Sequence, residues 1–503
     1  MPDSGVNPSA VVTSSPPPSN RKFYLFVAAF LLAAVLTGVF SAGRGKSSVE
    51  QWKDEMRAKG EKFTIAELLA GRTPAKTNRV DELKRLGNLL GATGRTIGGI
   101  EHSRYLSNGV AEAAWMRPKL DLTVAAPGAA VGRGYPSATV PYEWEDLAAD
   151  MAAKEATLTE VHALLAMPDR DTGWNYEFRT PMVRCFVEKR QLAQWLAAAN
   201  THALHERQPE RAFAHLAALC DLVAWHDEDF SIVGQMIRVA MGGIALHSTW
   251  ATMQAPGLTD AHLAGLQQRW ERLLLQPKFA RALEFERASI GQVFAQVRAG
   301  QESFSTAFGA GGTGGGKLGD QVVGVAWRAF GAEADELFYL RFMQCQIDAA
   351  RKLGRLRSWA LTQPDQAGNL AQLAVFDTWQ GKLMMVSQMG VPNFSKASQT
   401  GLRYETRREL TIAALAVERH RRKHGRLPAR LADLVPEFVS AGPLDWMDGN
   451  PLRYRVNADG TFTLWSIGEN LKDDGGDGSD AVPATRMGDI WERKDVLWPR
   501  PPP

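Results

Sequence analysis

Cysteine is scarce in this chain, and its placement argues against zinc and redox chemistry. Cys185, Cys220 and Cys345 stand singly in apolar stretches, and no two of them form a C-x-x-C pair. Such a pair is the usual sign of a zinc site or a thiol–disulfide centre. One disulfide is compatible with the count, whereas an odd number does not suit a disulfide framework. We expect buried thiols that act as small hydrophobic side chains.

An excess of charge of either sign is also missing. Lys and Arg number 58 against 55 Asp and Glu, which leaves a net charge of +3. Nucleic-acid-binding proteins concentrate basic residues on one face, so we expect no nucleic-acid partner. Hydrophobic residues make up 45% and charged residues 22%, which is typical of a globular protein. At 503 residues the chain is long enough for two or three units.

A long uncharged run is present near the start. No charged residue occurs between Phe23 and Phe40, and basic residues flank the run on both sides. Its length suits a bilayer core of roughly 30 Å, and no polar face interrupts it. We predict a single transmembrane helix over 21–43, preceded by a disordered Pro- and Ser-rich tail over 1–20. A cleaved signal peptide is the alternative, but no clean A-x-A site follows.

Helical periodicity dominates the middle of the chain. Apolar residues recur at intervals of three or four, which predicts a mainly α protein. We divide this part into a juxtamembrane helical region (44–125), a Gly-, Pro- and Ala-rich linker (126–144) and a helical body (145–404).

The body is predicted to be a helical bundle or an irregular helical repeat, because no strict internal period is visible. Residues 190–229 predict two antiparallel helices joined near Gln208 and Pro209. Stacked helices of this kind usually support contacts with partner proteins, so we expect protein partners through the body.

A glycine-rich stretch in the body imitates a phosphate-binding loop. Residues 311–318, GGTGGGKL, satisfy G-x-x-x-x-G-K. However, Leu318 stands where such a loop has Ser or Thr, and no hydrophobic strand precedes it. We therefore interpret it as a glycine loop between helices and expect no nucleotide.

Histidines form the second grouping. His202 and His205 lie one turn apart on a predicted helix, and His215 and His226 follow on the next. Helical histidines hold a metal when further ligands converge on them, but no H-E-x-x-H motif is present. We expect structural histidines, and a metal-dependent hydrolase with a site between helices is the alternative. The acidic cluster in the stretch WHDED (225–229) is explained by Asp227 or Asp229 as a helix N-cap.

The last part of the chain has a different character. A long helix ends at Gly425, and a short second helix is expected after Pro428. Two alternating stretches, LRYRV and FTLWSI, flank a turn at 458–461 and predict a β-hairpin, after which an acidic loop follows. We predict a small α+β module over 405–490 and a Pro-rich tail over 491–503.

Three ordered motifs mark this module. A segment of the form H/N-G-x-L/Y-P with leucines after it is matched by His424, Gly425, Leu427, Pro428, Leu431, Leu434 and Val435. A D-P-W-G-N-P-Y-x-Y-like turn with one extra residue is matched by Asp445, Trp446, Gly449, Asn450, Pro451 and Tyr454. An S-x-G-x-D-like loop is matched by Ser466, Gly468 and Asn470. With these motifs the module resembles the periplasmic part of the major pseudopilin of type II secretion systems. The whole chain is similar to uncharacterised membrane-anchored helical proteins of planctomycete and verrucomicrobial bacteria.

This resemblance implies a structural calcium ion. Pseudopilin loops of this kind bind calcium through carboxylates and backbone carbonyls, and calcium takes six to eight oxygens. Carried over, the ligands are the carbonyl of Ile467 and the side chains of Asn470, Asp473, Asp474, Asp477 and Ser479, with Asp480 as an alternative to Ser479. Asn470 replaces the usual aspartate, which should weaken the site. The alternative is a solvated acidic turn without metal.

The start of the chain departs from the pseudopilin pattern. A prepilin has a Gly at the processing point and a Glu five residues into the apolar run. Here Lys22 precedes Phe23, and Val27 stands inside the run. A polymerising pilus subunit is therefore not expected, and a true pseudopilin relative is kept as an alternative.

Together these patterns predict a non-enzymatic, membrane-tethered scaffold or interaction protein of the bacterial envelope. The resemblance implies an association with secretion or pilus-like machinery. It also implies a single-pass anchor in the inner membrane, with the bulk of the chain in the periplasm.

Overall fold

The computed structural model describes ten stretches of the chain. These are residues 47–71, 79–91, 97–107, 109–125, 137–167, 185–225, 230–308, 324–378, 381–480 and 490–501. The predicted anchor (21–43), the glycine-rich stretch (311–318) and His226 lie outside them. In the described stretches no helix combines the length and the apolar character that crossing a bilayer requires.

Helices build most of the molecule, which confirms the mainly α fold class. The helices up to residue 253 are α1 (Ser48–Ala58), α2 (Ile65–Leu69), α3 (Val80–Leu90), α4 (Trp144–Ala166), α5 (Phe186–His205), α6 (Pro209–Ala224) and α7 (Ile232–Met253). The later ones are α8 (Asp260–Arg272), α9 (Gln276–Arg298), α10 (Phe304–Phe308), α11 (Ala332–Leu356), α12 (Gln363–Ala371) and α13 (Met385–His424). Residues 324–330 are also helical.

The predicted pair of helices in the body is present as α5 and α6. Pro209 opens α6, where its missing N–H costs nothing and its fixed φ favours the first turn. Alanines on both helices let the backbones approach closely. The buried amide of Asn200 donates to the carbonyl of Ala212 at 2.8 Å, so this close contact also satisfies polar groups.

The long helix α13 connects the body with the C-terminal module. It packs against α7, α8 and α11, and it also contacts the C-terminal sheet. Its N-terminus is capped by the buried Asp335, which accepts the backbone amides of Val386 at 3.0 Å and Ser387 at 3.1 Å. A carboxylate in this position satisfies amides that have no partner within the helix.

Two β-hairpins lie in the part that the sequence analysis assigned to a juxtamembrane helical region and a linker. They pair β1 (Ser103–Ser107) with β2 (Val110–Ala113), and β3 (Leu120–Ala125) with β4 (Ser137–Tyr142). These strands are too short to give a clear alternating pattern, and Gly and Pro around them are equally typical of a linker.

The predicted C-terminal hairpin is present. β5 (Arg453–Val456) pairs antiparallel with β6 (Phe462–Ser466). A third strand, β7 (Val496–Leu497), adds to β6 from residues assigned to the Pro-rich tail. The short helix expected after Pro428 is a single 3-10 turn at Leu431–Leu434.

Candidate functional site

The acidic loop after β6 is built around a carboxylate. Asp495, which is fully buried just before β7, accepts the backbone amides of Gly476 at 2.8 Å, Asp477 at 3.1 Å and Asp474 at 3.4 Å. Gly475 and Gly476 have φ values of 74° and 81°, a conformation that glycine adopts without strain. Consecutive amides turned to one side in this way form an anion-binding concavity. The loop therefore directs N–H groups inward.

The acidic side chains of the loop have partners of their own. Asp474 pairs with Lys472 at 2.7 Å, and Asp477 pairs with Lys494 at 2.7 Å. The Lys494 ammonium lowers the pKa of the Asp477 carboxyl well below its usual range. Both aspartates are therefore ionised and neutralised by lysines of the same loop region.

The side chains of Asp473 and Asn470 also have protein partners. Asp473 accepts the indole N–H of Trp465 at 3.0 Å, and the side-chain amide of Asn470 donates to Asp474 at 3.1 Å. The backbone amide of Ile467 donates to Asp445 at 2.9 Å, and that of Ser479 donates to Asp477 at 2.9 Å. These two bonds use the amides and not the Ile467 carbonyl or the Ser479 side chain, which are the predicted ligands.

The centre of this loop holds other groups than the calcium ion that the resemblance implies. Calcium needs several oxygens that converge on one point, whereas the centre of this loop holds the Asp495 carboxylate and inward amides. In the described residues no group of three or more His, Cys, Asp or Glu side chains converges as a metal site. Calcium binding stays a prediction from the resemblance.

Asp445 holds the D-P-W-G-N-P-Y-x-Y-like turn of the module in place. Its fully buried carboxylate accepts the backbone amide of Met447 at 3.0 Å and the hydroxyl of Ser466 at 2.8 Å. The guanidinium of Arg453 donates to it at 3.0 Å. These bonds fix the turn against β6, so the motif residues have a structural role.

The histidines that a metal-dependent hydrolase site would use contact different partners. The ring of His205 stacks on Trp144, with the ring centroids 3.7 Å apart. Nδ1 of His215 lies 2.9 Å from Nε2 of His162, and burial lowers the pKa of His215 to about 3. Burial also lowers the pKa of His202.

A cleft that the sequence did not indicate lies between β1, α7 and the end of the acidic loop. Its volume is about 1110 Å³. We call it the hairpin cleft; its polar and ionisable lining includes Glu101, His102, Ser103, Arg104, Tyr105, His247, Ser479, Asp480 and Arg493. It has the size of a ligand-binding or protein-binding concavity.

A serine and a histidine meet at the floor of this cleft. Oγ of Ser103 lies 2.6 Å from Nδ1 of His247, and the guanidinium of Arg407 lies 3.3 Å from Nε2 of the same ring. An arginine only donates, so Nε2 is the acceptor and Nδ1–H donates to the serine. Burial lowers the pKa of His247 to about 3, so the ring is neutral. This tautomer does not take a proton from Ser103, which a serine nucleophile requires.

Nearby groups share this partly buried environment. Burial lowers the pKa of His102 to about 4, and its Nδ1 lies 3.0 Å from the hydroxyl of Thr201. Arg493 places its guanidinium 4.4 Å from the centre of the Tyr105 ring, a cation–π contact. The cleft floor therefore offers arginines and hydrogen-bonding groups rather than an activated nucleophile.

Residues of the hairpin cleft come from three distant parts of the chain, so no linear motif could have indicated them. Ser103 and His247 are individually ordinary, and only the docking of β1 on α7 brings them together.

Comparisons with protein-family models, with curated proteins and with solved structures find no match to this chain.

Proposed function

We propose that this protein is a membrane-tethered scaffold or interaction protein of the bacterial envelope, which acts by binding. The proposal combines the transmembrane helix predicted over 21–43 with the module that resembles a pseudopilin end. It places the anchor in the inner membrane and the bulk of the chain in the periplasm, near secretion or pilus-like machinery.

The observation that supports binding best is that the module and the helical body share one core. A continuous cluster of buried apolar side chains includes Leu216 of α6, Leu415 of α13, Leu464 of β6 and Trp498 after β7. Because burial of apolar surface is the main stabilising term, the module is held firmly on the body. A surface that spans both parts is therefore rigid, which lowers the entropic cost of binding a partner.

The C-terminal segment strengthens this connection. The carbonyl of Pro499 accepts the indole N–H of Trp250 on α7 at 2.7 Å. The carbonyl of Arg500 accepts the amide of Ala111 on β2 at 2.7 Å, and the amide of Arg500 donates to Gly109. Hairpin, body and module thus form the walls of the hairpin cleft, which we propose as the binding face.

Membrane attachment is tested by fractionation of bacteria that express the full chain. We expect carbonate-resistant membrane association, which deletion of 21–43 abolishes. Alkaline phosphatase fused to the C-terminus should be active, as it is only outside the cytoplasm. A chain that carbonate extracts, or an inactive fusion, contradicts the proposal.

The binding face is tested with a photo-crosslinking amino acid. Leu106 lies in the cleft and is 45% exposed, whereas Val187 is 67% exposed and does not line the cleft. We expect a discrete crosslinked product from position 106 that position 187 does not give. The same products from both positions would exclude the cleft as the binding face.

A further inference from the structure

A second, smaller pocket adjoins the hairpin cleft. Its volume is about 250 Å³, and Tyr105 and His247 line both cavities. We call it the Arg407 pocket; its other lining residues are Leu246, Arg407, Leu410, Ile490, Trp491, Val496, Leu497, Trp498 and Pro499. Apart from Arg407, Tyr105 and His247, the lining is apolar or aromatic. Small-molecule sites have this composition, in which a few polar groups orient a mainly apolar ligand.

Arg407 has no anionic partner in the described part of the chain. The polar group that its guanidinium contacts is Nε2 of His247, at 3.3 Å. Burial alone lowers the pKa of Arg407 to about 10, and no neighbouring charge opposes that shift. Removing a charge from water is costly, and buried arginines are therefore usually paired with a carboxylate or a phosphate.

Other arginines on the same helix show the usual pattern. Arg403 is paired with Glu469 at 2.7 Å, and Arg408 is paired with Glu405 at 2.9 Å. Both lie within about one helical turn of Arg407 on α13. The unpaired guanidinium is thus a local exception, and it lies where a pocket opens beside it.

The charge of the pocket selects the class of anion. Among the lining residues that the structure describes, Arg407 is the one cation, because the low pKa of His247 keeps that ring neutral at pH 7. One guanidinium balances a monoanion, and its planar fork matches the two oxygens of a carboxylate. A phosphate dianion would keep an uncompensated charge against apolar walls.

We propose that the Arg407 pocket binds a small carboxylate with an apolar body, and that Arg407 is the anchor of the carboxylate. The apolar part lies against Leu246, Leu410 and Trp498. The volume is slightly below the roughly 300 Å³ at which drug-sized pockets begin, so the ligand is a small free acid or the terminal residue of a peptide. This inference does not depend on membrane attachment and holds even if the tethering proposed above fails.

Calorimetric titration of the full chain with phenylacetate tests the proposal. We expect saturable binding, and no binding of phenylacetamide, which has the same shape without the charge. An acetylated tripeptide ending in Phe with a free carboxylate, compared with its C-terminal amide, distinguishes a peptide end from a free acid. Binding of either acid with rejection of its amide supports the proposal. Equal binding of acid and amide, or no binding of either acid, overturns it.

Variants identify the anchor. Arg407→Met keeps an unbranched apolar stem but removes the guanidinium, and it should weaken binding at least tenfold. Arg421→Met is the matched control, because Arg421 lies on α13, is half exposed and pairs with Glu418. It should bind like the wild type.

Stability gives an independent readout of the unpaired charge. Without ligand, the melting temperature of Arg407→Met should equal or exceed that of the wild type, since the variant removes an unpaired, largely buried charge. A lower melting temperature would assign Arg407 a structural role and contradict the proposal, as would unchanged phenylacetate binding by this variant.

Discussion

At the scale of single residues, buried carboxylates organise this protein more than its exposed acids do. Asp495 holds three amides of the acidic loop, and Asp445 holds the turn before β5. Both are fully buried, and desolvation raises the pKa of each carboxyl. Asp477 of the loop is half-buried and pairs with Lys494, and it contributes less because solvent screens the pair.

Replacing Asp495 by Asn should destabilise the protein although the two side chains have the same shape. Asn keeps one acceptor oxygen and presents an NH₂ group to amides that need an acceptor. Hydrogen bonds to a charged group contribute about 1.5–3 kcal/mol, so we expect a loss of about 2 kcal/mol in the free energy of unfolding. Denaturant titration measures this loss.

The control is Asp477→Asn in the same loop, which removes a half-buried, solvent-screened ion pair and should leave the denaturation midpoint nearly unchanged. The wild type should also have the same midpoint in calcium and in chelator if Asp495 closes the loop. A calcium-dependent midpoint that Asp477→Asn abolishes would instead establish the calcium site implied by the resemblance.

At the scale of elements, a side chain from one helix caps the N-terminus of another. The carboxylate of Glu405 on α13 accepts the amide of Gln276 at 2.9 Å and so caps α9. Its other oxygen accepts from Arg408 at 2.9 Å. Sequence spacing gives no hint of this cap, because the two helices are far apart in the chain.

Glu405→Gln should therefore weaken the packing of α9 on α13. The variant removes the charge that the helix N-terminus and Arg408 contact, and the buried arginine keeps Glu409 as a partner at 3.1 Å. Breaking a buried pair costs about 3–5 kcal/mol, and we expect the lower end because Gln still accepts one bond and Arg408 keeps one carboxylate. Thermal unfolding followed by circular dichroism measures the effect. Glu437→Gln, an exposed pair with Lys423, is the control, and equal melting temperatures for the two variants would refute the capping role.

At the scale of the whole molecule, the sequence predicts what depends on local pattern and misses what depends on docking. The helices of the body and the hairpin of β5 and β6 follow from periodicity and turn residues. The pairing of β7 with β6 does not, because a two-residue strand has no pattern of its own. The hairpin cleft and the Arg407 pocket were likewise not predictable, since their residues meet only after β1 docks on α7.

This difference leads to a prediction for the end of the chain. A chain that ends at residue 490 contains all of the module expected from the sequence, but it lacks Asp495, β7 and Trp498. Val496, Leu497 and Trp498 are each at most 7% exposed. Burial of such a side chain contributes about 1.5–3 kcal/mol, so their loss approaches the whole stability of a typical domain.

We therefore expect the module of the shortened chain to open locally while the helical body stays folded. Hydrogen exchange followed by mass spectrometry should show lost protection in β5 and β6 and retained protection in α5 and α6. A chain that ends at Pro501 keeps the bonds of Pro499 and Arg500 and should exchange like the full chain. Full protection of β6 after truncation at 490 would mean that the module folds without β7, since β6 would then be stable with β5 as its single partner strand.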